Sequence, residues 1–442
     1  MAARPEPRPS GTDLPAYVMP VEPPPKVSSR KPDYEEPNGV LNLHQALALS
    51  LAWNHEIAAS FGEVRAREAR TLQSSLLPNP EIDLQMENVG GGDGNGGVGA
   101  VETTLELSQR IELGDKRSKR SQVAAFDRNL AGWDYEAKRL DISASTTIAF
   151  LDVLAAQEQL RIAEETLRLS EQVFNTVAER VRAGKVSPLE ETRASVTLSI
   201  GRIKMDTSER NLKAARKRLA SRWSSTSPRF TRAEGNFDTL GPIPSEESVT
   251  GQTARNPEIA RWDDEIQRRR AALSLEKARR IPDLTVSGGV RRFEETDDHA
   301  AVFGVSIPVP FFDRNQGGIL EAESMLAKAE EERQLAEVAV RTELAETYEA
   351  LSSSYAQALA MKNEVLPATQ TAFDAANEGY REGKFGFLQV LDAQRTLFEA
   401  KGEYLETLAR YHKSKAKLER LTGQGLDGSD GSPAPGPIGG KQ

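Results

Sequence analysis

The sequence predicts a mainly α chain, internally duplicated, in which long antiparallel helical hairpins carry a small membrane β part of four strands. Three observations predict it. The stretch ERVRAGKVSPLEETRASVTL (179–198) is echoed by GYREGKFGFLQVLDAQRTLF (379–398), with Gly184-Lys185 and Gly383-Lys384 199 positions apart. Apolar residues recur every seven positions along two very long helical runs. Four short segments alternate apolar and polar residues at matched places in the two halves.

Composition supports long helices. Of 442 residues 28% are charged and only 6% aromatic, with abundant Ala, Glu, Leu, Arg and Lys. There is no cysteine, which excludes disulfides, thiolate metal sites and cysteine nucleophiles. The net charge of -9 argues against nucleic acid as the main partner. No run of 18 apolar residues exists, so no transmembrane helix is expected. A β-barrel would pass that test unseen, because its strands alternate. The chain opens MAARPEPRPS without an apolar segment. That leaves a cytosolic protein or a leader removed before the first numbered residue.

Residues 1–40 hold 10 of the 24 prolines and read as an extended arm. The first repeat, 41–222, begins with a helix over about 43–77. Two strands (81–89, 101–113), a long helical run (114–182) and a helix (188–222) follow. A Gly/Pro/Ser-rich linker, 223–252, leads to the second repeat, 253–422. Its strands are expected at 283–291 and 301–309, its long run at 317–382 and its last helix at 387–422. Asn54 and Asn256 open matching stretches 202 apart, as do Pro80 and Pro282, and Asp115 and Asp313 close the strand pairs 198 apart. The segment 423–442 reads as a disordered tail. A period near 200 means duplication of one large unit.

Leu160, Leu167, Phe174 and Val181, with Ala163, Ser170 and Val177, make a narrow apolar seam. Leu359, Leu366, Phe373 and Tyr380 repeat it. A run of some 65 helical residues spans about 100 Å, which makes the molecule elongated. In each half two short helices sum to the long one, so they are expected to stack end to end beside it. Pro367 should kink the second run. Ser187, Pro188 and Glu190 read as a capping box, and Gly184 and Gly383 as left-handed helix ends.

Along the strands, Ile82, Leu84 and Met86 oppose Glu81, Asp83 and Glu87. Val101, Leu105, Leu107, Ile111 and Leu113 oppose Glu102, Glu106 and Glu112. Ala301, Phe303, Val305, Ile307 and Val309 share a face. Alternation alone fits a small sheet packed on helices. The hairpin loops GGGDGNGGVG and RRFEETDDH, however, read as long and polar. Strand lengths approach the ~9–11 residues that cross a bilayer. Four strands cannot close a barrel, but three copies would supply twelve.

The plan over 41–422 resembles the TolC-like outer-membrane efflux proteins, in GYREGKFGFLQVLDAQ above all. PVPFFDRNQGGILEAE (308–323) resembles the CzcC branch, which serves heavy-metal efflux. The resemblance implies a homotrimer with a twelve-stranded barrel in the outer-membrane lipid and a trimeric α-barrel tunnel through the periplasm. It implies docking to a periplasmic adaptor and an inner-membrane pump of the RND type. It places an acidic aperture at Asp392, with Glu190 on the matching position in the first repeat, Glu191 beside it and Tyr380 close by. Gln389 stands where the family carries a further acid. Three such carboxylates would favour cations. The turns at Gly184, Lys185, Gly383, Lys384 and Phe385 become adaptor contacts, and Glu81, Asp83, Glu87, Glu102, Glu106 and Glu112 barrel lumen. Without cysteine, no lipid anchor is expected.

His44, His55, His299 and His412 are scattered, so no metal site or cofactor is expected. Neither a phosphate loop nor a nucleophile motif is present, and no enzyme is expected. The expected function is an exit duct for divalent metals such as zinc, cobalt, cadmium or nickel, in the outer membrane of a Gram-negative bacterium. A drug or protein export channel is the alternative of the same architecture. A soluble coiled-coil scaffold is the alternative of another class, but it would not need four matched amphipathic strands.

Overall fold

The computed structural model describes residues 36–89, 101–252 and 256–423. The Pro-rich arm up to 35, the glycine-rich hairpin loop and the tail lie outside them. The first half contains β1 (Val40–Asn42), α1 (Leu43–Trp53), α2 (His55–Ser75), β2 (Glu81–Glu87), β3 (Glu102–Ile111), α3 (Lys116–Arg182) and α4 (Pro188–Ala220). The linker supplies β4 (Arg232–Glu234) and α5 (Glu246–Thr250). The second half contains α6 (Pro257–Arg279), β5 (Leu284–Phe293), β6 (Asp298–Ser306), α7 (Gln316–Ala360), α8 (Leu366–Arg381) and α9 (Phe387–Thr422).

The 67 residues of α3 reach about 100 Å. The helix packs along α2, α4, α6 and α9, while α7 packs on α6 and α9. The seam residues Ala163, Ser170 and Val177 are buried, as are Phe373 and Tyr380. Short helices stack end to end by one device used twice. Asn54 caps α2, accepting from the backbone N–H of Glu56 and Ile57, and its amide donates to the Arg222 carbonyl just beyond α4 (2.9 Å). Asn256 caps α6 through Glu258 N–H, and its amide donates to the Leu421 carbonyl of α9 (3.1 Å). One side chain thus satisfies an orphan donor of one helix and an orphan acceptor of the other.

Each joint sits on its own core. Leu41, Leu49, Phe150, Val153, Leu219, Trp223 and Phe230 form one. Val249, Leu344, Leu351, Tyr411, Leu418 and Leu421 form the other. A third cluster closes the lower bundle, with Val177, Ala194, Phe373, Tyr380, Phe387, Val390 and Leu397.

The four long strands make one antiparallel sheet in the order β2-β3-β5-β6. Its joint to the helices is braced. Arg120 on α3 grips both Glu112 oxygens (2.6 and 3.1 Å) and the Ser74 carbonyl. Asp283 receives Lys116 Nζ (2.6 Å) and the Leu113 N–H (3.2 Å). Asn315 donates to the Glu276 carbonyl and carboxylate.

Several expectations are corrected. The first helix breaks at Asn54, whose extended backbone (φ -69°, ψ 127°) ends α1 and starts α2. Within the linker, β4 pairs in parallel with β1. The second hairpin turns within four residues, since β5 runs to Phe293 and β6 starts at Asp298. Asp115 matches Asn315 rather than Asp313, both being left-handed residues that open a long helix. Before Pro367 the second run passes through a π turn, Met361–Val365, whose wider coil accommodates the missing proline donor. No capping box forms at Glu190: Ser187 caps α4 through Leu189 N–H, and the Glu190 carboxylate is engaged elsewhere.

Asn256→Ala removes both the cap and the partner of a buried carbonyl and is expected to cost about 2 kcal/mol. Asn256→Asp, which keeps only the cap, should fall between it and wild type. Thermal melts of the helical circular-dichroism signal check this order; an alanine variant melting with wild type would remove the joint from the account.

Candidate pore face and entrance turns

Register divides the sheet into two chemically opposite faces. Pairing sets Asp83 opposite Glu106, Glu87 opposite Glu102, and Thr104 opposite Arg291. Glu81, Asp83, Glu87, Glu102, Glu106 and, at the start of β6, Asp298 therefore share one face with Arg110 and Arg291: six carboxylates against two arginines among the described residues. Arg291 donates to Glu102 (2.9 Å) and Thr104 Oγ1 (3.0 Å) and lies 3.5 Å from Glu87. Like charges directly opposed destabilise a strand pair, and here a guanidinium offsets the repulsion. The Asp83–Glu106 pair has no such cation; among the described residues neither carboxylate forms an ion pair. Across from Glu106 lies Gly289, where a Cβ would overlap the β3 backbone. Glu112, expected with this group, lies past the end of β3 in the Arg120 brace.

The other face is apolar and open. Ile82 is 74% exposed, Leu84 62%, Val305 72% and Phe303 85%. Val309, Phe311 and Phe312 continue the exposed apolar surface beyond β6. Among the described residues the strands β2 and β6 are each paired on one side only.

The two helical turns lie together at the far end. Gly184 and Gly383 end their helices at φ +69° and +77°, where a side chain would be strained. The Arg180 guanidinium donates to the Tyr380 carbonyl (2.6 Å) and stands 4.4 Å over the Tyr380 ring. The Tyr380 hydroxyl donates to the Glu190 carboxylate (3.3 Å). Burial first, and then the Glu190 charge, raise the Tyr380 pKa against the opposing pull of Arg180, which keeps the phenol a donor. The Phe385 ring lies over Gly379, where any Cβ would overlap it. Lys185, Lys384 and Phe385 are exposed.

The expected aperture residues thus divide. Glu190 and Tyr380 meet across the two repeats. Gln389 instead caps α9, its side-chain oxygen accepting from Gly386 N–H (2.6 Å). Asp392 is exposed and pairs with Arg395 (3.2 Å). Glu191 lies half-buried next to Glu190 in the first turn of α4. The residue missed from sequence is Arg180: it acts across a separation of 200 positions, which no local pattern marks.

Comparison with known proteins agrees with this architecture. The Outer membrane efflux protein family matches residues 32–224 and 252–424. The cobalt-zinc-cadmium resistance protein CzcC of Cupriavidus metallidurans is 35% identical over 389 residues, which are 88% of this chain and 91% of that protein. The nickel and cobalt resistance protein CnrC of the same organism is 27% identical over 65% of this chain and 67% of its own length. Among solved structures, a membrane protein from Pseudomonas aeruginosa superposes with a TM-score of 0.77 at 19% identity, covering 94% of this chain and 98% of that one. CusC superposes with a TM-score of 0.74 at 18% identity, covering 87% and 92%. Two family matches that cover both repeats, and a relative aligned along 91% of its length, lead to one conclusion: the chain belongs to the outer membrane efflux protein family.

Proposed function

We propose that the chain is the exit duct of a tripartite efflux system for divalent heavy-metal cations, acting as a homotrimer. The observation that carries the reading is the two-faced sheet: apolar and open on one side, acidic on the other, with both edges unpaired. In hydrocarbon each unpaired backbone group costs several kcal/mol, so the edges must be paired by further copies. The helices repeat the argument. Leu189, Val196, Ile200 and Ile203 on α4, and Leu320, Leu335 and Val338 on α7, are exposed apolar residues on elements that lack neighbours on one side. A heterologous contact between such sides gives a ring where its rotation closes, as a three-fold one does.

The acidic face then lines the barrel and lowers the potential for cations. The Glu190, Glu191, Asp392 and Tyr380 region narrows the other end. The turns at Gly184, Lys185, Gly383, Lys384 and Phe385 meet the periplasmic adaptor, which links the duct to an inner-membrane pump of the RND type. No catalytic step is assigned to the chain. The cargo rests on the relatives: the chain is similar to proteins of cobalt-zinc-cadmium and of nickel and cobalt resistance.

Planar-bilayer recording of the purified protein is expected to give cation-selective pores in a potassium chloride gradient. Asp392→Ala with Glu190→Ala should raise conductance and weaken that selectivity; an unchanged reversal potential would refute the aperture. On the sheet, Val305→Arg should abolish the detergent-resistant trimer, since arginine in mid-membrane costs ~2–4 kcal/mol. Ser108→Arg, on the acidic face, should be tolerated. Equal tolerance of both would reject the lipid-facing assignment. Deleting the gene should sensitise cells to zinc, cobalt or cadmium, whereas sensitivity to dyes or detergents alone would assign the duct to drug export.

A further inference from the structure

The two long helical runs differ at one place. In the first repeat α3 is unbroken, while in the second the π turn Met361–Val365 separates α7 from α8. A π turn followed at once by proline is a bending point in an otherwise stiff rod. It is not left free. The linker crosses at this level, and its Asp238 ties three elements together. Lys362, inside the π turn, donates to the Asp238 carboxylate (2.7 Å) and to its carbonyl (3.1 Å). The Tyr404 hydroxyl on α9 donates to the other carboxylate oxygen (2.5 Å). On either side the linker is fixed to α9, by His412 Nε2 at the Phe237 carbonyl (2.7 Å) and by Tyr411 with Gly241, and farther out to α3 by Gln157 with Ala233 and to α7 by the Tyr348 hydroxyl at the Pro244 carbonyl.

Asp238 is therefore the point at which a strap anchored on α3, α7 and α9 grips the bend. Burial opposes its ionisation, but the hydrogen bonds from Lys362 and Tyr404 outweigh it and lower the carboxylate pKa. Burial and the bond to Asp238 push the Tyr404 phenol well above its ordinary range. Beside the strap lies a groove of about 1140 Å³ lined by Leu366, Gln370, Lys401 and Leu405, which leaves α8 room to move. Below the bend α8 packs chiefly on α9, and its end carries Tyr380. The Lys362–Asp238 pair is substantially exposed, and such pairs are weak, strong enough to bias a hinge and weak enough to release it.

We propose that Asp238, Lys362 and Tyr404 form a clasp on a hinge at the π turn, and that releasing it lets α8 swing away from the first repeat's tip. That the swing widens an entrance rests on the reading of the function given above; the hinge itself does not.

The absence of cysteine makes the test direct. Spin labels on Thr192→Cys (α4) and Ala375→Cys (α8), in full-length labelled chain diluted with an excess of the cysteine-free chain before assembly in detergent, report the distance within one chain. Asp238→Lys and Lys362→Asp should each shift that distance to longer values and broaden it. The double exchange, Asp238→Lys with Lys362→Asp, should return it to wild type, a rescue that general loosening of the linker would not produce. Distances unmoved by the single exchanges, or left long by the double, overturn the clasp. Where a charge reversal prevents folding, Lys362→Met and Tyr404→Phe make the same comparison. Bilayer conductance of the released variants then tests the other reading separately: a distance that moves without a conductance change keeps the hinge and rejects the entrance.

Discussion

The height of this molecule depends on a joint without a covalent connection. A helix of 67 residues cannot be matched by a short helix alone, and the chain meets the deficit by laying two helices end to end. The ends of helices are where backbone groups lack partners, and a buried end without them is costly. Asn54 and Asn256 resolve both ends at once, capping the ascending helix and satisfying a carbonyl where the descending one ends. An aspartate could cap but not donate, and a serine could not span both. The asparagine amide, donor and acceptor in one planar group, is the chemistry that this joint demands.

Above the joint the constraint changes from satisfying helix ends to satisfying strand edges. The four-stranded sheet is incomplete in a way that the helices below it share: α3 is flanked on both sides within the chain, whereas α4 and α7 each retain an exposed apolar side. The braces at the junction, Arg120 on Glu112 and Lys116 on Asp283, keep sheet and helix layer as one curved wall. In the proposed assembly, one contact between the margins of neighbouring copies would close strands and helices together.

Much of this is legible in the sequence because the periods are long and repeated. The offset near 200, the seven-residue seam and the period-two strands each recur; the seam ends in the buried Phe373 and Tyr380, while Leu160, Leu167, Phe174 and Val181 of the first repeat stay half-buried. What escapes is short or non-local. Asn54 follows Trp53 inside an apolar run and reads as helix interior until its side chain is seen to cap. The three-residue pairing of β1 with β4 has no period to detect. Arg292 and Phe293 look like loop residues, yet they end a strand whose turn is tighter than their polarity implies. Arg180 and Asp238 act on residues 200 and 124 positions away, at Tyr380 and Lys362, and only the fold brings them together.

Duplication also explains why the two tips have come to differ. Each tip needs a helix cap and each could carry an acid at the same position. In the first repeat Ser187 caps α4, which frees Glu190 to reach Tyr380. In the second, Gly386 has no side chain to cap with, and Gln389 folds back on its N–H instead. A carboxylate at 389 could accept that bond, but it would place a second charge one helical turn from Asp392, where like charges repel. The amide performs the capping without the repulsion. The glutamine is therefore a division of labour between repeats, one tip holding charge at the contact and the other holding its own helix start.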